Sequence, residues 1–254
     1  MSRTVDFSNL LADVIESQPY PLLFVTISGS HLYGFPSADS DYDLRGIHVL
    51  PVRKVLGLYP VTETIETAET EDGLEIDLVT HEIKKFCSLL LKKNGYVLEQ
   101  LYSPLIIKTT PEHRRLKEIA ANCITRNHYH HYRGFATNQW DLFVKENTYR
   151  IKPLLYIYRV LLTGIYLMNT GKIEANLVNL NKEFKLSYIT DLIEQKKAGA
   201  EQTVLEKVNL KFHRQEYERL HAQLEAAFNN SDLPDDSLAK PELNSLLVKI
   251  RNVR

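Results

Sequence analysis

Two aspartates spaced by one residue, Asp41 and Asp43, follow a Gly29-Ser30 pair after an interval of ten residues. In an extended segment, residues i and i+2 face the same way, so both carboxylates would project side by side. Like charges that close repel unless a proton or a cation lies between them. Carboxylate pairs of open geometry suit a hard divalent ion, Mg²⁺ or Mn²⁺. The Gly-Ser bend follows an apolar run, Leu22 to Ile27, and offers backbone N–H groups and a hydroxyl to phosphate oxygens. Phosphate cradle and metal-binding pair together point to phosphoryl or nucleotidyl transfer. The competing account is a solvated turn, which Ser and Asp also favour. The interval from Gly29-Ser30 argues against it.

That interval resembles the signature of the DNA polymerase β-like nucleotidyltransferase superfamily: Gly-Ser, about ten residues, then Asp-x-Asp. The fuller strings Gly29-Ser30-His31-Leu32-Tyr33-Gly34 and Ser40-Asp41-Tyr42-Asp43-Leu44-Arg45-Gly46 are similar to one branch, nucleotidyltransferases associated with RNA ligases. Val55-Leu56-Gly57-Leu58 and the stretch from Asp77 to Pro104, with Glu82-Ile83-Lys84-Lys85-Phe86 and Val97-Leu98-Glu99, resemble the same branch. The likeness is specific over residues 20 to 104 and loose from there to about Gly171.

The resemblance implies a third acid on a neighbouring strand, and Asp77 stands in such a segment. Glu75, Asp77 and Val79 alternate with Leu74, Ile76 and Leu78, one face acidic and the other apolar. Glu75 is the fallback. With Asp41, Asp43 and Asp77 as metal ligands, a two-metal clamp on entering and leaving oxygens is the implied chemistry. Ser30 would contact the triphosphate, with Gly29 allowing close backbone approach. Arg45 either neutralises phosphate or pairs with Asp43. Tyr33 either packs near the nucleotide or in the core. Lys152, Tyr156 and Arg159 share one helix face and offer a further contact to triphosphate or nucleic acid.

Helical periodicity covers residues 4 to 17, with Leu10, Leu11, Val14 and Ile15 as its apolar stripe. Strands are expected over Leu22–Ile27, Asp41–Leu50, Thr62–Ala68 and Leu74–Thr80, the last two joined by the hairpin signal Glu71-Asp72-Gly73. A helix is expected from His81 to Lys93. From Pro111 onward the pattern turns helical, over 111–126, 130–147, 151–170 and 202–228. Asn229 to Pro241 has the composition of a linker or mobile loop, before a short terminal helix over Glu242–Ile250. The fold expected is α+β: a small mixed β-sheet nucleotidyltransferase core flanked by helices over residues 1–108, a helical domain over 109–230, and a linker with terminal helix over 231–254.

Across 254 residues the net charge is -1, so a nucleic-acid surface has to be local. Cys87 and Cys123 lack ligand spacing and are expected as free, buried thiols of a cytoplasmic protein. Leu154 to Met168 is interrupted by Arg159, which suits a core helix and no membrane partner. His128, His130 and His131 lack Cys or carboxylate partners at zinc spacing. Arg126 and His131 match a short ribonuclease pattern that arises often by chance. The expected function is metal-dependent transfer of a nucleotidyl group from an NTP such as ATP to an acceptor hydroxyl, with RNA (tRNA, or an RNA end in repair) as acceptor. The alternatives are adenylylation of a partner protein, and a non-catalytic nucleotide-binding domain.

Overall fold

The computed structural model describes residues 7–71, 74–146, 148–205 and 208–252. Asp72-Gly73 and the side chain of Leu10 lie outside the described residues. The first elements are α1 (Phe7–Glu16), β1 (Leu22–Ile27), α2 (Gly29–Tyr33), β2 (Tyr42–His48), α3 (Val52–Val55), β3 (Thr64–Glu71) and β4 (Leu74–Glu82). Then come α4 (Ile83–Leu91), α5 (Gly95–Tyr102), β5 (Ile106–Lys108) and α6 (Pro111–Ala120). Six helices follow two short 3-10 turns: α7 (Tyr129–Lys145), α8 (Ile151–Thr170), α9 (Leu177–Phe184), α10 (Ser187–Ala198), α11 (Leu210–Asn229) and α12 (Lys240–Asn252).

The strands form one mixed sheet in the order β3-β4-β2-β1-β5. β2 and β4 run parallel, with Asp43 opposite Asp77; the other neighbours are antiparallel. β1 is apolar on both sides, as a central strand covered on both faces requires. One face, with Val25, Leu44, Ile76 and Leu78, packs on Leu11, Val14 and Ile15 of α1. The other, with Phe24 and Ile47, packs on α4, α5, α6 and α12. The fold is therefore α+β, as expected.

Short polar side chains cap several of the helices. Asn94 caps α5 by accepting from the N–H groups of Tyr96 and Val97, and Asn176 caps α9 through Val178 and Asn179. α8 is the axis of the helical half, packed by α7, α9, α10 and α11. By length and composition alone it is apolar enough to cross a membrane, yet 78% of its apolar window is buried inside the protein.

The structure differs from these expectations at four points. The helix expected over 202–228 starts at Leu210, where the Asn209 side chain caps Phe212 N–H. Helices α9 and α10 went unforeseen because each is short and its apolar residues are interspersed with Asn, Lys and Glu. β5 is three residues long, too short to show a period of two. The segment expected as a loose linker is pinned: Arg126 pairs with Asp235, Ser231 Oγ donates to Met168 O at 2.7 Å, and Ser237 Oγ donates to Asn122 O at 2.9 Å. α12 docks on the sheet half through Leu243, Leu246 and Ile250, and Arg251 pairs with buried Glu82 at 2.7 Å.

Candidate active site

β1 runs into the bend at Ser28, where the Ser28 N–H donates to the Asp43 carbonyl at 2.7 Å. That bond seats the bend against the start of β2. Gly29 follows with φ +58°, and a Cβ there would lie 1.9 Å from Asp43 Oδ2. Only glycine serves at this position, because the aspartate carboxylate lies directly against its backbone. The Ser28 and Ser30 side chains are buried, and among the described residues neither hydroxyl has a hydrogen-bond partner. Buried hydroxyls are ordinarily satisfied, so two orphans on one bend depart from the usual pairing.

Asp41 sits one residue before β2 and Asp43 within it. Asp41 Oδ1 is also buried without a partner among the described residues. Burial raises the Asp43 pKa, the Arg45 guanidinium opposes that shift, and the neighbouring Asp41 charge adds to it. Asp77, opposite Asp43 on β4, faces the same side and has a side chain 44% exposed. Glu75, two residues earlier, is exposed at the start of the strand.

Arg45 comes down on the ion-pair side. Its Nη2 donates to Asp43 Oδ1 at 2.6 Å, and Nη1 donates to the carbonyls of Leu44 at 2.8 Å and Asp77 at 3.0 Å. Nη1 also lies 3.6 Å from Asp77 Oδ2, and Nε donates to the Tyr96 hydroxyl of α5 at 3.2 Å. The guanidinium thus stands between the two strand acids, where a phosphate contact had been the alternative. The orphaned Asp41 oxygen is a donor suited to a hard cation, while Asp43 Oδ1 is taken by Arg45 and its Oδ2 lies against Gly29. Among the described residues, however, no group of three His, Cys, Asp or Glu side chains is arranged to hold a metal ion. The expected third ligand, Asp77, is turned to Arg45.

Tyr33 belongs to the core. It is 2% exposed, with the Arg159 guanidinium 3.9 Å from its ring centroid and the Tyr156 ring edge-on at 5.3 Å. Arg159 is itself buried, paired at 2.7 Å with buried Glu99 of α5. The helix face expected to offer Lys152, Tyr156 and Arg159 together is therefore divided: Arg159 and most of Tyr156 face inward. Lys152 is less buried, near enough for its charge to act on Asp43, and is ion-paired with Glu201.

Several contributors have no spacing that would reveal them. Tyr96 reaches Arg45 from α5. The His31 ring stacks on Tyr42 at 4.1 Å and lies against the main chain of Ser40 and Asp41. The Asn176 side chain donates to Leu32 O at 3.2 Å and packs against Gly34. His31, adjacent to Ser30, could have been suspected from position alone; the others come from sequence-distant elements.

A mixed sheet carrying a Gly-Ser bend over paired aspartates defines a nucleotidyltransferase-type protein. The profile of the family described as "RlaP: RNA repair pathway DNA polymerase beta family" matches residues 4–249, and the chain belongs to that family. It is 32% identical over 221 residues to the uncharacterized protein MJ0002 of Methanocaldococcus jannaschii, covering 84% of this chain and 87% of that protein. It is 28% identical over 250 residues to the uncharacterized protein YcgL of Bacillus subtilis, covering 94% and 92%. A nucleotidyltransferase-like protein from Exiguobacterium sibiricum aligns over 97% of this chain and 78% of its own, at 13% identity and a TM-score of 0.33.

Proposed function

We propose that this protein transfers a nucleotidyl group from a nucleoside triphosphate to an RNA hydroxyl. The observation that carries the reading is the set of unsatisfied oxygens around one bend: Ser28 Oγ, Ser30 Oγ and Asp41 Oδ1, with Asp43 against Gly29. The family's description as an RNA repair branch supports RNA as acceptor.

Ser28 and Ser30 would donate to phosphate oxygens, and Lys152 would add positive charge near Asp43. Asp41 and Asp43 would hold Mg²⁺ or Mn²⁺, which supplies charge stabilisation for the triphosphate and its leaving group. The acceptor hydroxyl attacks the α-phosphorus, the bond to the bridging β-oxygen breaks, and pyrophosphate departs. Asp77, beside the Arg45 guanidinium at 3.6 Å, would receive the hydroxyl proton. Cys87 and Cys123, both free and buried, fit a reducing compartment such as the cytoplasm.

Labelled ATP, Mg²⁺ and an RNA with a free 3′ end test the reading. Asp41→Asn and Asp43→Asn are expected to lower transfer by about 10³-fold or more, several kcal/mol of lost electrostatic stabilisation, while unfolding midpoints stay close to wild type. With a cell extract added, label on a protein in place of RNA would move the acceptor to the partner-protein alternative. Transfer at the wild-type rate by the double variant would refute the site.

A further inference from the structure

The segment that delivers Asp41 is held by a carboxylate from the far end of the chain. Ser37 to Ser40 form a turn closed by Ser37 N–H to Ser40 Oγ at 3.0 Å and Ser40 N–H to Ser37 O at 3.2 Å. Those bonds shape the turn without fixing it to the helical half. Glu201, in the loop after α10, does that. Its Oε2 accepts from Ser40 Oγ at 2.7 Å, Ser37 Oγ at 3.0 Å and Lys196 Nζ at 2.7 Å. Its main-chain N–H donates to Asp39 Oδ2 at 3.0 Å, and its carboxylate also pairs with Lys152.

Lys196 is fully buried and also donates to Ser37 Oγ at 2.7 Å. A buried ammonium persists only where its charge is matched, and Glu201 matches it. Burial pushes the Glu201 carboxyl up, but hydrogen bonds from Lys152, Lys196 and Ser40 outweigh burial and hold it down to about 2. The carboxylate thus stays charged across the working pH range and ties together three pieces: the turn before Asp41, the α10 lysine Lys196, and Lys152 of α8.

We propose that Glu201 is a positioning residue, clamping the Ser37–Ser40 turn so that Asp41 stands beside Asp43 and holding Lys152 near Asp43, on the side the triphosphate would take. The clamp is geometric and independent of substrate; its consequence for binding rests on the nucleotidyl-transfer reading. The other account of four donors converging on one carboxylate is that Glu201 occupies a phosphate site and blocks it. The full burial of Lys196 and the backbone bond to Asp39 favour the clamp, because neither would be freed for an arriving phosphate.

Hydrogen exchange by mass spectrometry and calorimetric titration with Mg–ATP separate the two on the intact chain. Glu201→Gln keeps the shape and removes the charge. The pair Lys196→Met with Glu201→Gln also removes the buried ammonium, so that folding persists. In both, exchange over residues 37–41 is expected to quicken about tenfold or more, with β1 and β4 unchanged. Mg–ATP affinity should drop about tenfold, and Glu201→Asp should recover part of each effect. Unchanged exchange over 37–41 in the folded double variant would overturn the clamp, as would tighter Mg–ATP binding by Glu201→Gln. If the wild-type protein binds no Mg–ATP, the nucleotide reading fails while the exchange result still decides the clamp.

Discussion

Gly29 shows how narrowly one residue can set the chemistry. Its positive φ and the Asp43 carboxylate against its backbone leave no room for a Cβ. Gly29→Ala is expected to cost about 1–2 kcal/mol in left-handed backbone strain, measurable by denaturant unfolding. It should also drive the Asp43 carboxylate from its place, and a displacement near 1 Å is enough to slow transfer about 10²-fold. A variant with wild-type transfer would show that Asp43 need not touch the bend. Arg45 makes a related point about charge. With partners on Asp43, on two main-chain carbonyls and on Tyr96, it is a fixed cation of the site. Lysine in its place offers no planar fork to satisfy those acceptors together.

Among elements, α5 and α8 meet through one buried ion pair, Glu99 with Arg159, sandwiched by Tyr33. Burial alone would raise the Glu99 pKa, and Arg159 opposes that shift. Such a pair contributes little net stability compared with apolar packing, but removing one partner strands the other charge. Arg159→Met is expected to destabilise by about 3–5 kcal/mol. Combining it with Glu99→Gln should cost clearly less than the two single changes together, a coupling that a double-mutant cycle measures. Additive losses would mean that the two helices are joined by packing only. The same contact carries α2 into the helical core, since Leu32, Tyr33 and Phe35 pack with α8 and not with the sheet. Sequence periodicity showed α8 clearly, because twenty residues repeat one apolar pattern. It could not show which of its charges point inward, since Arg159 turns inward only because Glu99 is there to meet it.

For the whole molecule, acid should be the weak direction. Burial lowers the pKa values of His48, His113, His128 and His131 to about 4 from the ordinary 6.5. Between those values the unfolded chain takes up protons that the folded chain refuses, so stability is lost as pH falls from about 6.5 to about 4. Each such histidine contributes a slope of up to about 1.4 kcal/mol per pH unit. Thermal midpoints measured across that window should fall steadily, and His48→Gln should flatten the slope. A midpoint independent of pH there would mean that these rings are charged in the folded state.

The sequence alone determined the local pieces: the apolar strand β1, the Gly-Ser bend, the spaced aspartates, the alternation that sets Asp77 on one face, and the long amphipathic helices. Each is written in neighbours within a few residues, where chain geometry fixes which side a residue faces. Tertiary structure alone decided what those residues meet. Arg45 reaches Asp77 because β2 and β4 align in parallel, and Tyr33 is buried because Arg159 covers it. Lys152 is held by Glu201, nearly fifty residues further along the chain, through a loop with no period of its own. Pairings of that kind depend on how distant elements pack, and no spacing in the chain encodes them.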